Sequence, residues 1–426
     1  MEALRHISES LGLYTGQNGS LLLKPQTRGD RVIWSVVAML AIISMLAVYS
    51  STGSLAYKHH KGNTEIYLFR QVMFILVGVS IIYFTHLIDY RFFSRVALWL
   101  YIISLPLLVY TLAFGTNLND ANRWIRLPVV NWTFQTSDFA RLALFMYLAR
   151  LLTHKHKIIA DFRKGYLPLL MPIVLTCLLI APANLSTAML TGITGMLVLF
   201  VSRASWKHLI LTTLVALVPV VLLVAIAYTT YKPEQQTAKA KPGMVAELKQ
   251  TGRIGTWISR VQDFMFASAE ESPYQIQQAK IAIAKGGWVG VGPGNSEQRN
   301  FLPHPYSDFI YALIVEEYGL LGAMVIVFLY LAFLLRCIRI FSRCPYAFGA
   351  FLALGLGITL IVQATTNMAV NVNMFPVTGV TLPLVSMGGT SFLFTCFSIG
   401  IILSVARNVE VVEGKKLRQP KEEATV

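Results

Sequence analysis

The sequence predicts an all-α polytopic membrane protein of about ten transmembrane helices, with one large extracytoplasmic loop between the seventh and eighth spans. Three observations carry this. Of the 426 residues, 55% are hydrophobic and 13% charged, and the mean hydropathy of +0.58 is far from that of a water-soluble globular chain. Several apolar runs exceed ~18 residues, the length that crosses a bilayer. Lysine and arginine are distributed very unevenly between alternate connecting segments, as expected of a chain that threads a membrane repeatedly.

In order, the spans are read at 31–50, 69–87, 94–115, 137–152, 166–183, 186–202, 208–229, 308–336, 346–371 and 381–406. The fourth is the least apolar, because it carries Asp138, Arg141 and Arg150. The fifth and sixth are separated at Pro182-Ala183-Asn184, a plausible tight turn. Residues 1–30 are polar and mixed and do not resemble a cleavable signal, so the first span directs insertion. With the N-terminus cytoplasmic, the inner segments collect about 21 lysines and arginines, against five in the short outer loops: Lys58, Lys61, Arg70, Arg123 and Arg126. Both termini are therefore expected in the cytoplasm. The resulting organisation is a cytoplasmic tail (1–30), helices one to seven (31–229), the outer loop (230–307), helices eight to ten (308–407) and a second cytoplasmic tail (408–426). The net charge of +15 then reflects this inside bias rather than nucleic-acid binding. Cys177, Cys337, Cys344 and Cys396 all lie in spans or at their ends, so neither a disulfide nor a thiol metal site is expected.

Within the loop, Lys232 to Pro242 is rich in Lys, Gln, Ala and Pro and reads as mobile. Met244 to Phe266 has helical spacing, with Arg253 and Arg260 beside Ile254, Trp257 and Phe264, and reads as an amphipathic helix at the membrane surface. Pro273 to Ala284 reads as a second helix stopped by Gly286-Gly287. The glycines at 290, 292 and 294 are not a dinucleotide fingerprint, since no strand precedes them. No internal repeat, His/Cys cluster or Walker motif is present, so zinc hydrolysis and ATP-driven pumping have no support.

Four polar constellations stand out. In Leu302–Gly319, LPHPYSDFIYALIVEEYG, Asp308 marks the point where the chain enters a membrane helix. Asp308 suits a helix N-cap as well as chemistry. Glu316 and Glu317 lie two to three turns deeper, about 12–14 Å at ~1.5 Å per residue. A carboxylate at that depth needs a partner, either a salt bridge or a functional one. Arg123-Trp124-Ile125 in the outer loop before the fourth span reads as an interfacial anchor or an anion contact. Gln135-Thr136-Ser137-Asp138-Phe139-Ala140-Arg141 places Asp138 and Arg141 on one helix face, where Arg141 requires an internal ion pair or a phosphate. Phe375-Pro376-Val377-Thr378-Gly379 through Pro383 to Ser386, Thr390 and Ser391 suggests a bent backbone inside the protein, or close packing of small residues.

Together these segments resemble the SEDS family (shape, elongation, division, sporulation). The family's LPE-A-H-[TS]-D-F-I-F segment with its Glu-Glu pair is matched by LPHPYSDFIYALIVEE, and its Arg-Trp-Ile loop by Arg123-Trp124-Ile125. QTSDFAR stands for its Q-P-S-E-x-x-K helix start, and PANLSTA for its P-D-L-G-T-A turn. PVTGVTLPLVSMGGTS stands for its late P-V-T-G…S-x-G-G-[ST]-S segment. His304 and Tyr306 replace the family's Glu and His, and Asn184 loses a charge. GPGNSEQ is closer to the FtsW-type division branch than to the RodA-type elongation branch.

The resemblance implies a peptidoglycan glycosyltransferase that polymerises lipid II at the outer membrane face during cell division, with a class B penicillin-binding protein cross-linking the product. It implies Asp308 as catalytic base. It implies Arg123, Trp124, Gln135, Ser137, Asp138, Arg141, Glu316, Glu317, Ser386, Thr390 and Ser391 as substrate-binding residues. Arg123 and Arg141 would hold the diphosphate, with a divalent cation (Mg or Mn) as a candidate cofactor whose ligands are not legible. The rival classes are a flippase for lipid-linked precursors and a non-catalytic division scaffold.

Overall fold

The structure of the chain, a computed structural model, describes residues 13–15, 21–23, 29–53, 65–118, 121–126, 133–231, 253–266, 274–302 and 305–416. The Lys232–Pro242 stretch, the first part of the amphipathic segment from Met244, and His304 lie outside these residues.

The described chain is dominated by helices: α1 (Arg31–Ser51), α2 (Glu65–Leu87), α3 (Tyr90–Phe114), α4 (Thr136–Lys155), α5 (Leu167–Ile180), α6 (Leu185–Val201), α7 (Trp206–Thr230), α8 (Arg253–Phe266), α9 (Tyr274–Gly286), α10 (Ile310–Arg343), α11 (Ala347–Asn371) and α12 (Thr390–Lys416). Each predicted span coincides with one helix, and α8 and α9 belong to the segment predicted as the outer loop. Eight helices are long and apolar enough to cross a membrane, while α6 is apolar but shorter. The chain is thus an all-α, multi-pass membrane protein.

Its small β content was not predicted. A hairpin joins β1 (Leu13–Thr15) to β2 (Leu21–Leu23). An antiparallel sheet of β3 (Thr116–Leu118), β4 (Ala121–Arg126) and β5 (Thr133–Gln135) pairs Trp124 with both Thr116 and Gln135.

Burial explains why α4 is the least apolar of the predicted spans. From Ala140 to Ala149 every side chain except Tyr147 is buried, so this helix meets protein rather than lipid and tolerates charge where a partner is built in. It packs against α3 and α11, and Phe145, Leu148, Leu352 and Ile401 join one continuous core. At the other end of the bundle, Asp30 caps α1 by accepting from Val32 N at 2.9 Å, and pairs with Arg336 of α10 at 2.5 Å.

Two elements depart from the predicted boundaries. The last helix begins at Thr390, not at 381. Pro383 supplies no N–H, and Leu384 and Gly389 have φ of 62° and 58°, so residues 372–389 form an irregular strap. The strap runs beside α11 and is buried from Leu382 to Ser386. The long helix α10 breaks at Gly319, whose φ of 65° and ψ of −165° leave the helical region. Backbone from the segment between α9 and α10 enters the break: Val291 N donates to Glu316 O at 2.9 Å, Gly292 N to Glu317 O at 3.0 Å and Leu320 N to Gly287 O at 2.9 Å. Gly290, at φ 86°, and Gly319 pack backbone against backbone there, and an added Cβ would strike the carbonyl of Glu317 or of Trp288, respectively.

Candidate functional site

Asp308 sits two residues before α10, on the short piece that joins the loop to the helix. The N-cap position belongs to Phe309, whose side chain makes no cap bond. The Asp308 carboxylate accepts from Ser307 Oγ at 2.8 Å. Opposite it lies the Gly379 turn: a Cβ built on Gly379 would sit 3.6 Å from Asp308 Oδ2 and 3.9 Å from an Arg123 guanidinium nitrogen. The glycine therefore leaves open the space between the Asp308 carboxylate and the Arg123 guanidinium of β4. Arg123 is oriented by donating from Nε to the carbonyl of Ala183, in the turn between α5 and α6, at 3.0 Å.

A second guanidinium arrives from the loop. Arg260 of α8 donates to Val377 O at 3.2 Å and interacts electrostatically with Asp308. Burial pushes the Arg260 guanidinium below the ordinary arginine range, and the Asp308 carboxylate opposes that shift. α8 is held in place from α7, where Gln262 donates to Ala227 O at 3.0 Å and Tyr231 stacks on Phe266 with centroids 4.2 Å apart. Sequence reasoning placed Arg260 on the polar face of a surface helix, whereas the fold turns it toward Asp308.

The backbone of Asp308 is held from α11 by carboxamides that the sequence reading did not single out. Asn367 Nδ2 donates to Asp308 O at 2.8 Å and to Val380 O at 2.7 Å. Asn371 Nδ2 donates to the same Asp308 carbonyl at 3.0 Å, while its Oδ1 accepts from Ala312 N at 3.1 Å. Gln363 Nε2 donates to Thr381 O at 3.1 Å. The signal was present: polar residues at i, i+4 and i+8 put one polar stripe on an otherwise apolar helix. Ser386 completes the strap's grip, donating from Oγ to Ser307 O at 2.7 Å, and Met387 N donates to Tyr306 O at 3.0 Å.

The other predicted residues fall into separate groups. Asp138 and Arg141 do share a helix face, 3.8 Å apart and almost fully buried. Arg141 also donates to Gln363 Oε1 at 3.2 Å, and Asp138 hydrogen-bonds Ser391. They line a cavity of about 30 Å³, water-sized rather than lipid-sized. Gln135 Nε2 donates to Ser137 Oγ at 3.0 Å at the start of α4, with Trp124 beside it across the sheet. Thr390 Oγ1 donates to Thr133 O at 2.9 Å.

Glu316 and Glu317 are buried away from Asp308. Glu316 accepts from Ser296 Oγ, from Glu297 N at 3.2 Å and from Gln298 N at 3.4 Å. Glu317 accepts from Ser50 Oγ of α1. Arg299 donates to Ser50 O at 2.9 Å, closing a clasp of loop, α1 and α10. Asn184, where the family carries a charge, caps α6 by accepting from Thr187 N at 3.3 Å. Among the described residues no group of three or more His, Cys, Asp or Glu side chains comes together. Among the described residues, one carboxylate near two guanidiniums does not make a donor set for a resident cation.

Comparisons with known proteins agree with this fold. The sequence profile of the FtsW/RodA/SpoVE family of cell cycle proteins matches residues 30–411. The "probable peptidoglycan glycosyltransferase FtsW" of Trichlorobacter lovleyi is 33% identical, over 90% of this chain and 94% of that protein. The stage V sporulation protein E of Bacillus subtilis is 31% identical, over 90% of this chain and 98% of that protein. Among solved structures, a chain from a study of the structural coordination of polymerization and crosslinking by a peptidoglycan synthase complex superposes with a TM-score of 0.65 at 23% identity, covering 89% of this chain and 98% of that one. The rod shape determining protein RodA of Thermus thermophilus superposes at 0.61 and 20% identity, covering 89% of this chain and 97% of that one. Because the profile spans nearly the whole chain and the curated relatives align end to end, the chain belongs to the FtsW/RodA/SpoVE family.

Proposed function

We propose that the protein is an inverting peptidoglycan glycosyltransferase of the division branch, joining lipid II units into glycan strands. The observation that carries this reading is that Asp308, at the entrance of α10, lies across the Gly379 turn from Arg123 and within electrostatic reach of Arg260. Forming a β-1,4 link from an α-linked undecaprenyl diphosphate asks for two things in one place. A base must take the proton of the acceptor hydroxyl, and positive charge must meet the departing diphosphate. Asp308 takes the proton as the acceptor oxygen bonds to the anomeric carbon. The carbon–oxygen bond to the diphosphate breaks with its electron pair on the leaving group, and Arg123 and Arg260 receive that charge. Arg141 is assigned to the internal frame, through Asp138 and Gln363, rather than to the diphosphate.

The protein lies in the bacterial cytoplasmic membrane with both termini inside, and it works with a class B penicillin-binding protein that cross-links its product. Lysine and arginine asymmetry supports the orientation, and the synthase-complex structural relative supports the partner. A single cysteine at Lys239 should react with an impermeant thiol reagent in intact cells and one at Lys155 should not; equal labelling would overturn the orientation. Lipid II given to the purified protein should yield polymer. Movement of lipid II across vesicles without polymer would instead make it a flippase, and neither activity would make it a scaffold.

A further inference from the structure

We propose that Asn371 is a positioning residue for Asp308: its carboxamide caps the start of α10 from a neighbouring helix and, with Asn367, fixes the Asp308 carbonyl, so that the Asp308 carboxylate is left to face the guanidiniums. The inference rests on the reading of Asp308 as base.

A helix start leaves its first N–H groups without intrahelical partners, and a side-chain oxygen near the N-cap normally accepts from the second or third of them. At α10 the N-cap residue is Phe309, which has no such oxygen. An aspartate one residue earlier is the natural substitute, and a carboxylate is drawn to a helix N-terminus by its positive end. A base occupied in that way would be turned into its own helix. Here the N–H of Ala312, the third helical residue, is instead taken by Asn371 Oδ1 at 3.1 Å. Asn caps about as well as Asp and brings no charge. The same side chain donates from Nδ2 to Asp308 O at 3.0 Å, and Asn367 adds a donor at 2.8 Å. Asn371 is 1% exposed, so it meets these groups inside the protein. Among the described residues, the charged side chains near the Asp308 carboxylate include Arg260 from α8, which interacts with it electrostatically, and Arg123 from β4, across the Gly379 turn.

The test uses the full-length protein, purified from native membranes with any partner that accompanies it, and initial polymerisation rates across lipid II concentrations. Asn371→Ala should fold and keep its KM while kcat falls about tenfold or more, the scale of a slightly misplaced catalytic group. Asn371→Asp, which keeps an oxygen for the Ala312 N–H but loses the donor to the Asp308 carbonyl, should recover only part of that loss. Asn371→Ser, polar but too short to reach Ala312, replaces the alanine variant if that one does not accumulate. In an Asp308→Asn background the Asn371→Ala change should cost nothing further, because the group it positions is gone. An unchanged kcat in Asn371→Ala, or an equal loss in both backgrounds, would overturn the assignment. So would a loss of kcat that merely tracks melting temperature. Normal polymerisation by Asp308→Asn alone would overturn the base as well, which separates the two failures.

Discussion

Asp308 and the Glu316-Glu317 pair are carboxylates at the same end of one membrane helix, separated by about two turns, yet their surroundings differ in kind. The glutamates are held by donors from two elements: the loop, through the Ser296 hydroxyl and the backbone N–H groups of Glu297 and Gln298, and α1, through the Ser50 hydroxyl. Carboxylates held by hydroxyls and backbone N–H groups in this way tie the loop and α1 to α10. Asp308 receives a serine hydroxyl at 2.8 Å, interacts electrostatically with Arg260 and has the space kept open by Gly379 between it and Arg123. Depth in the helix does not distinguish function from structure in this pair; the source of the neighbouring charge and the space in front of it do.

The comparison is broken most directly at Asp308. Asp308→Asn keeps the size and removes the proton acceptor, so it should insert and melt like the parent protein but lose polymerisation by ~10²-fold or more, ~2.7 kcal/mol in the barrier. Polymer yield from lipid II, measured beside melting temperature in detergent, is the check, and an active variant places the base elsewhere. The opposite pattern is expected one clasp away. Glu316→Ala strands a serine hydroxyl and two backbone N–H groups, which should cost about 2–4 kcal/mol of stability, while the molecules that do fold keep their turnover. A shift in turnover without a shift in melting would move Glu316 into the chemistry.

Arg260→Ala should lower kcat/KM by about tenfold through loss of one charge at the leaving diphosphate, with Arg260→Lys intermediate because a lysine lacks the fork. Identical kinetics for all three would leave Arg123 alone at the diphosphate. The mildest change is Lys285→Ala. The pair of Lys285 with Glu297 borders the glutamate clasp but is 40% and 70% exposed, so its loss should move stability by less than ~0.5 kcal/mol. A larger shift would show the loop to be held by its surface rather than by Glu316.

Much of this was legible in the sequence. The helical intervals followed from apolar run lengths, and even the charged α4 was placed correctly. Asp308 was found because it stands at an abrupt change from polar to apolar chain. Arg260 escaped because helical periodicity says which face is polar but not what that face meets; α8 is turned by its contacts with α7, which periodicity within α8 does not reveal. The carboxamide stripe on α11 could have been read, since polar residues four apart in an apolar helix rarely lack partners. What they bind could not, because the strap opposite them has no regular pattern. The start of α12 was placed early for the same reason: residues 381–389 are as apolar as a span, and only the backbone at Pro383, Leu384 and Gly389 shows that they are not helical.

The break at Gly319 has a consequence for biogenesis. Loop residues 287–292 leave the ribosome before α10, yet the acceptors for Val291 and Gly292 N–H are carbonyls of Glu316 and Glu317, and Gly287 O waits for Leu320. Until about Leu321 has been made and placed, the loop holds a turn with no counterpart. Its docking is therefore timed by synthesis of the following helix, and a nascent chain halted in between presents the Asp308 segment without the joint that seats the preceding loop.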